Sequence, residues 1–471
     1  MADVSIIHLS DLKSNRRLDP QYYHTANIAL DTTLDKVETD TLDDVTSLIT
    51  DGIHASIQFD DDSDVLLVSA MSPKQNYFDV SKNRHIDVLQ HDKNPRTSLR
   101  IEDVIISTVG TIGNVAVVTD DMLPANSDRH VGIIRLNDDI LPRYVTTFLL
   151  SKYGRYQVMR ETTGNVQPNL FIDKIETLKI PKVSKPFQQL VEDMVMRANH
   201  LRTEALEVYR QATYELEDTL GLVNLKYDMA NISERYLSEY VSTSRLDPEY
   251  WLPRYDSHLE QLKTFKHDSL GNIADYIKGV EVGSEEYADD GIPFVRVSDF
   301  SHLGIEPKVE KKISNELYLE LKDKQAQKGE VLLTKDGTIG IAFALKNSGE
   351  FILSGAFLRL CIKEGSGVNA EYLSLVLNSS VGRTQMKRLT GGAIIGHLKP
   401  EDAMSLCIPI LDDAYQKKVE KVLGKVFIDL HQSRVLLHTV IESMDRLVEH
   451  GQEDAHQFLI AAAASPALDK T

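Results

Sequence analysis

The sequence predicts an α+β protein: two tandem mixed α/β globular parts separated by two long, coiled-coil-like antiparallel helices, the halves forming an internal pseudo-twofold repeat. Three observations predict it. From Pro186 to about Leu220, the residues Phe187, Val191, Met194, Ala198, Leu201, Ala205, Val208 and Ala212 recur at alternating steps of four and three, which lines them up on one stripe of a helix. Tyr415, Val419, Val422 and Val426 repeat the start of that pattern 228 residues later, with Phe187 falling on Tyr415, and Leu436, Val440 and Met444 rejoin it. The same offset pairs short motifs throughout the chain, and a run of matches in one register points to duplication. The boundaries follow: a first globular part over 1–184, a central helix over 185–222, a second globular part over 223–412, a distal helix over 413–451 and a tail over 452–471.

Taken in order, His8-Leu-Ser-Asp-Leu12 matches Tyr236-Leu-Ser-Glu-Tyr240, and Arg17-Leu-Asp-Pro-Gln-Tyr22 matches Arg245-Leu-Asp-Pro-Glu-Tyr250. Val65–Ala70, Asp103–Ser107, Asn114–Val118 and Val131–Leu136 are rich in β-branched residues and bounded by polar turns, so they read as strands. Phe294–Ser298, Glu330–Thr334, Ile341–Leu345 and Phe357–Ile362 stand at the corresponding places. Amphipathic segments at Leu141–Tyr153 and Ala370–Val381 read as helices, the second capped by Asn369 or a neighbour. Ile180-Pro181 and Ile408-Pro409 close each globular part, because proline disfavours helix at the residue before it. Leu222–Glu239 is a linker, and the alanine-rich Phe458–Pro466 is compatible with a docked helix or a loose end.

A chain of 471 residues with 42% hydrophobic content can bury several cores. It contains no run of eighteen apolar residues and opens on a polar segment, Met1–Arg17, with no signal-peptide core, so a cytoplasmic protein without a membrane partner is expected. The net charge of −19 argues against a free-standing nucleic-acid binder, although a local basic face can coexist with an acidic total. Cys361 and Cys407 each sit in an apolar run and read as buried free thiols, not as a disulfide, metal site or nucleophile.

Catalytic signatures are missing. The loops Val109-Gly-Thr-Ile-Gly113 and Asp336-Gly-Thr-Ile-Gly340 lack the lysine and hydroxyl of a phosphate-binding loop and read as tight turns between strands, with a backbone contact as the alternative. No metal-ligand spacing, nucleophile elbow or Asn-Pro-Pro-Tyr methyltransferase motif occurs, so neither a metal nor a cofactor is expected in this chain. Basic residues do recur in matched polar stretches, Arg84, Arg96 and Arg100 against Lys312, Lys324 and Lys328, with Lys308, Lys311 and Lys335 nearby. They suit phosphate or guanine contacts, but each taken singly reads first as an ordinary surface charge. In the repeated RLDP segments, Arg17 with Asp19 and Arg245 with Asp247 can form local ion pairs over Tyr22 and Tyr250; the alternative is a docking surface for a partner subunit.

These features resemble the specificity subunit of type I restriction-modification systems. The resemblance runs from about His8 to His450 and rests on Thr50-Asp-Gly-Ile-His54, Pro293–Phe300, Leu332–Gly340, Thr390–Leu398, and Ile-Pro followed by Gln188 or Gln416. It implies two target-recognition domains that each read half of a bipartite double-stranded DNA sequence, with the helices setting the distance between the halves. It also implies partners: two modification subunits that methylate adenine with S-adenosylmethionine, and a restriction subunit that translocates and cleaves DNA. This chain would then be no enzyme.

The two copies differ where reading would occur. Leu67 stands in place of Arg296, and Thr163–Leu170 departs from the glycine-rich Thr390–Leu398, so an asymmetric target is expected. DNA contacts are expected among His54, Arg84, Arg96, Arg129, Asn165 and Gln167 in the first copy, and among Arg296, Lys311, Lys312, Lys335, His397 and Lys399 in the second. Two other readings compete: an enzyme, either part of a fused restriction-methylation protein or a hydrolase using the loops around Asp51 and His54, and a scaffold without sequence preference.

Overall fold

A computed structural model of the chain describes residues 22–164, 168–243, 245–306, 309–390 and 396–464. The first half lays down strands β1 (Thr46–Asp51), β2 (Val104–Ser107), β3 (Val115–Val117) and β4 (Val131–Leu136), then helices α1 (Pro142–Leu150), α2 (Lys152–Glu161) and α3 (Lys185–Thr219). The second half repeats the series as β5 (Ala274–Lys278), β6 (Val331–Thr334), β7 (Ala342–Ala344), β8 (Phe357–Ile362), α4 (Ala370–Asn378), α5 (Ser380–Leu389) and α6 (Asp413–His450), and adds α7 (Gln452–Ala463). Sheet order is β1-β4-β2-β3 in one copy and β5-β8-β6-β7 in the other, antiparallel throughout. Beside each sheet, a short parallel pair joins Leu66–Val68 to Ala125–Ser127, and Phe294–Val295 to Ile352–Leu353. Val131–Leu136 and Phe357–Ile362 are strands over their whole predicted runs, whereas Leu66–Val68, Val104–Ser107, Val115–Val117, Val331–Thr334 and Ala342–Ala344 are shorter than theirs, and Ile292–Val295 ends before Arg296–Ser298 of its run.

The chain forms two compact units, Met1–Thr203 with Asp429–Thr471, and Glu204–Ile428. Each contains the start of one long helix and the end of the other. Within the first unit, Ser184 exchanges hydrogen bonds with Gln452 (2.8 and 2.9 Å), and Ser433 Oγ donates to the Ala198 carbonyl (2.6 Å). As numbers rise along α3 they fall along α6, so the segments run antiparallel. Within the second unit, Lys418 pairs with Glu215 in the same sense.

The predicted stripe is buried at its start, at Phe187, Val191, Met194, Ala198 and Ala205. Further on the burial shifts to Tyr209, Leu216 and Leu220, while Val208 and Ala212 are only half-buried. The cause is geometric: a straight helix turns once per 3.6 residues and drifts off a strict 3.5-residue repeat within a few turns.

Two further expectations need correction. Leu141–Tyr153 and Ala370–Val381 are not single helices, for each breaks at a serine. Ser151 is extended (ψ 168°), ends α1 and caps α2 by accepting from the Gly154 amide, and Ser379 (ψ 178°) does the same between α4 and α5. The glycine that follows is obligatory, since a Cβ on Gly154 would lie 2.1 Å from the Phe148 carbonyl oxygen and one on Gly382 2.4 Å from that of Leu377. Past Gly451 the tail docks as α7, burying Ala455 and Leu459 in the first unit's core. Asn369 does cap α4, accepting from the Tyr372 amide at 2.8 Å.

The duplication extends to individual hydrogen bonds. Tyr144 Oη donates to the Pro181 carbonyl and Tyr372 Oη to that of Pro409. Gln157 both donates to the Lys179 carbonyl and accepts from its amide, as Gln385 does with Cys407. Gln188 accepts from the Leu141 amide and Gln416 from that of Asn369. Central strands carry a two-pronged ion pair in each unit, Arg135 on Asp103 and Arg359 on Glu330.

Replacing Gln157 or Gln385 with Leu leaves two buried main-chain groups unanswered, at roughly 1–3 kcal/mol each. Urea unfolding should show that loss, whereas the exposed Gln189→Leu should shift stability by less than about 0.5 kcal/mol. Equal losses at all three positions would contradict this account.

Candidate nucleic-acid interface

In both units the predicted contact residues gather mainly where the sheet's strands end in loops. The β2–β3 turn is closed by Ser107 Oγ donating to the Thr111 carbonyl (2.5 Å), and the β6–β7 turn by Thr334 Oγ1 donating to that of Thr338 (2.6 Å). Gly113 and Gly340 sit at φ 82° and 85°, where side chains are strained, and a Cβ there would press Val158 or Met386. These are turns between strands, packed on the helix that follows. The segment after that helix returns alongside: Leu170 N–H donates to the Thr108 carbonyl, as Leu398 N–H does to that of Lys335.

In the first unit, Asp51 at the end of β1 collects two predicted residues. His54 Nε2 lies 2.5 Å from Asp51 Oδ2, and Arg96 Nη2 lies 3.6 Å from Oδ1. Arg129 is exposed on the adjacent segment, which is fixed by Ile53 N–H donating to the Ser127 carbonyl. His130 leans on Asp128 at 3.4 Å. Arg84 stands apart, stacked 3.7 Å over the Phe59 ring and paired with Asp61. Asn165 and Gln167 lie outside the described residues.

In the second unit, Asp336 plays the same part. Its Oδ1 accepts from His397 Nδ1 at 2.8 Å, and its Oδ2 pairs with Lys335. Burial pushes the Asp336 carboxyl up, but hydrogen bonds from Lys335 and His397 outweigh it and hold the group below its ordinary value. Lys399 stands two residues beyond His397 and precedes the short helix Pro400–Met404. Arg296 bonds Asp299 and Glu310 (2.6 Å to the latter), Lys311 shares Glu310, and Lys312 holds Asp290 at 2.8 Å.

Nearly every predicted cation thus carries a local carboxylate, which the sequence pattern did not reveal. The exposed pairs among them, Arg84 with Asp61 and Lys312 with Asp290, are worth about 0–1 kcal/mol, so a phosphate can displace those carboxylates at little cost.

The second RLDP segment forms the local pair expected of it. Arg245 grips Asp247 with two 2.7 Å bonds, donates to the Leu389 carbonyl, and lies over the Tyr250 ring. Arg388 covers Tyr250 too, at 4.5 Å, and in the first unit Arg160 lies 4.0 Å over the buried Tyr22. Arg17 and Asp19 lie outside the described residues. Cys361 and Cys407 are free, and burial raises both thiols, Cys361 to about 11, leaving them neutral at pH 7. Among the described residues no cluster of metal-ligating side chains forms, and no helix is long and apolar enough to cross a membrane.

Residues 262–435, which carry β5–β8 and these loops, match the model of the type I restriction modification DNA specificity domain. Comparison of the sequence with curated proteins finds no match. Among solved structures, similarity extends to the S subunit of a type I system from M. genitalium, at 14% identity and TM-score 0.42 over 88% of this chain and 95% of that one. It extends also to the HsdS subunit from Thermoanaerobacter tengcongensis, at 15% identity and TM-score 0.27 over 90% and 96%. A third structure, described as bearing on complex assembly of the type I system, has 15% identity and TM-score 0.27 over 90% and 97%.

Proposed function

We propose that this chain is a specificity subunit that recognises a bipartite, asymmetric DNA sequence, one half read by each globular part (1–184 and 223–412), and that it positions partner subunits on that DNA. The observation that carries the reading is the specificity domain at 262–435 together with the recurrence, in the first unit, of the same sheet order and the same buried hydrogen bonds. A duplicated reader implies a two-part target. Divergent loops, such as Arg296 against Leu67, imply different half-sites.

The partners in this reading are two modification subunits, which bring S-adenosylmethionine, and a restriction subunit; the chemistry is theirs. The carboxylates beside the cations and the net charge of −19 favour tight binding only once those partners enclose the duplex. The subunit works in the cytoplasm, where its DNA is. The repeated RLDP segments, with Arg17, Asp19 and Tyr22 in the first copy and the Arg245–Asp247 pair beside Tyr250 in the second, are the proposed partner-facing surface.

Methylome sequencing of cells with and without this chain and its modification subunit tests the reading. A bipartite methyladenine motif should appear only with both; a single undivided motif, or none, would sink it. Within that target, Lys335→Ala should weaken all duplexes alike and reduce the salt slope by about 0.9. Arg296→Ala should instead cost about 1–3 kcal/mol and relax one base position. Anisotropy across a mismatch panel separates the two outcomes.

The 35 and 38 residues of α3 and α6 correspond to rods of about 52 and 57 Å, or roughly 15 base pairs of duplex. We propose that this length sets the unread spacer. A heptad inserted into both helices at matched positions should lengthen the spacer in the methylation motif by about 3 base pairs. An unchanged spacer would dismiss the ruler.

A further inference from the structure

Asp51 and Asp336 do not occupy equivalent positions in the repeat, yet each is bracketed in the same way. One carboxylate oxygen meets a histidine, His54 at 2.5 Å or His397 at 2.8 Å. The other meets a cation, Arg96 at 3.6 Å or Lys335. The carboxylates are largely enclosed, with 29% and 24% of their side-chain surface exposed, while both histidines are 62% exposed. With a neutral histidine each trio carries no net charge. Once the cation leaves for a phosphate, the carboxylate faces a polyanion alone.

We propose that Asp51 and Asp336 are positioning residues which hold a histidine and a cation together at the DNA-facing loops, and that each unit takes up one proton at that histidine when it engages DNA. This rests on the DNA-recognition reading above. The proton comes from solvent. In His54, Nε2–H donates to Asp51, so Nδ1 receives it; in His397, Nδ1–H donates to Asp336, so Nε2 receives it. The resulting imidazolium remains on its carboxylate and replaces the departed cation, so the site stays neutral toward the phosphates. Other charged residues stand near them in the chain or on the bridged segment. Asp128, Arg129 and His130 flank His54 on the neighbouring segment, and Lys399 and Glu401 follow His397. His130, on Asp128, is therefore the competing proton site in the first unit.

The linkage has a fixed sign. A group that binds a proton only in the complex strengthens binding as pH falls toward the histidine range and weakens it as pH rises, by at most tenfold per pH unit per proton. The experiment uses the full chain assembled with its modification subunits. Affinity is measured from pH 6.5 to 8.5 for a labelled duplex carrying the methylated motif and for an equal-length duplex lacking it.

The wild-type complex should show a slope approaching two protons, His54→Gln and His397→Gln one each fewer, and the double variant a flat profile with melting temperature unchanged. Asp336→Asn should flatten the second unit's share while Lys335 remains. His130→Gln should leave the slope alone. Preference for the motif duplex with a pH profile unaffected by His54→Gln and His397→Gln, or a proton lost with His130→Gln instead, would overturn this inference and leave the recognition reading standing. No preference for the motif duplex at any pH would overturn both.

Discussion

Main-chain groups buried at the junction of sheet and helices must be answered, and two glutamines per unit answer them. Gln157 and Gln385 each satisfy an amide and a carbonyl of the strand that ends at Pro181 or Pro409, and a tyrosine hydroxyl satisfies the proline carbonyl itself. Gln188 and Gln416, one turn into the long helices, close the helix starts by accepting from a loop amide. An unanswered buried group costs about as much as a sizeable share of a domain's net stability. These side chains therefore fix the angle at which each long helix leaves its globular part, and everything at the far end of the sheet is carried on that frame.

Because the frame is secured at one end of each unit, the loops at the other are free to differ. The turns after β2 and β6 keep their glycines and their serine or threonine latch. The side chains around them change: Asn169 in one copy corresponds to His397 in the other, on the same backbone bridge. The division is between a constant scaffold and a variable edge. In the second unit, the residues that match the type I restriction modification DNA specificity domain include that scaffold.

Charge is managed locally. An acidic chain keeps its cations beside carboxylates, as Arg296 does with Glu310, Lys312 with Asp290, and Arg96 with Asp51. The exposed members of this set contribute little to stability, because solvent screens them.

By itself the sequence determined the duplication, the two long helices, most of the strands and the proline that closes each part, since all of these follow from local periodicity and from self-comparison at one offset; the edge strands Thr46–Asp51 and Ala274–Lys278 and the order within each sheet came only with the structure. It also placed His54 with Arg96, and Lys335 with His397, in the candidate interface, though not together. Only tertiary structure decided that Asp51 and Asp336 gather them, that Arg84 belongs to a separate stack on Phe59, and that α1 and α4 stop at a serine. Contacts between residues 45 or 61 positions apart, and the steric demand of a carbonyl 2.1 Å from an absent Cβ, leave no periodic trace in a chain. The shift of the buried stripe beyond Ala205 has the same origin: helical phase accumulates from turn to turn, and the partner across the seam chooses which residues it meets.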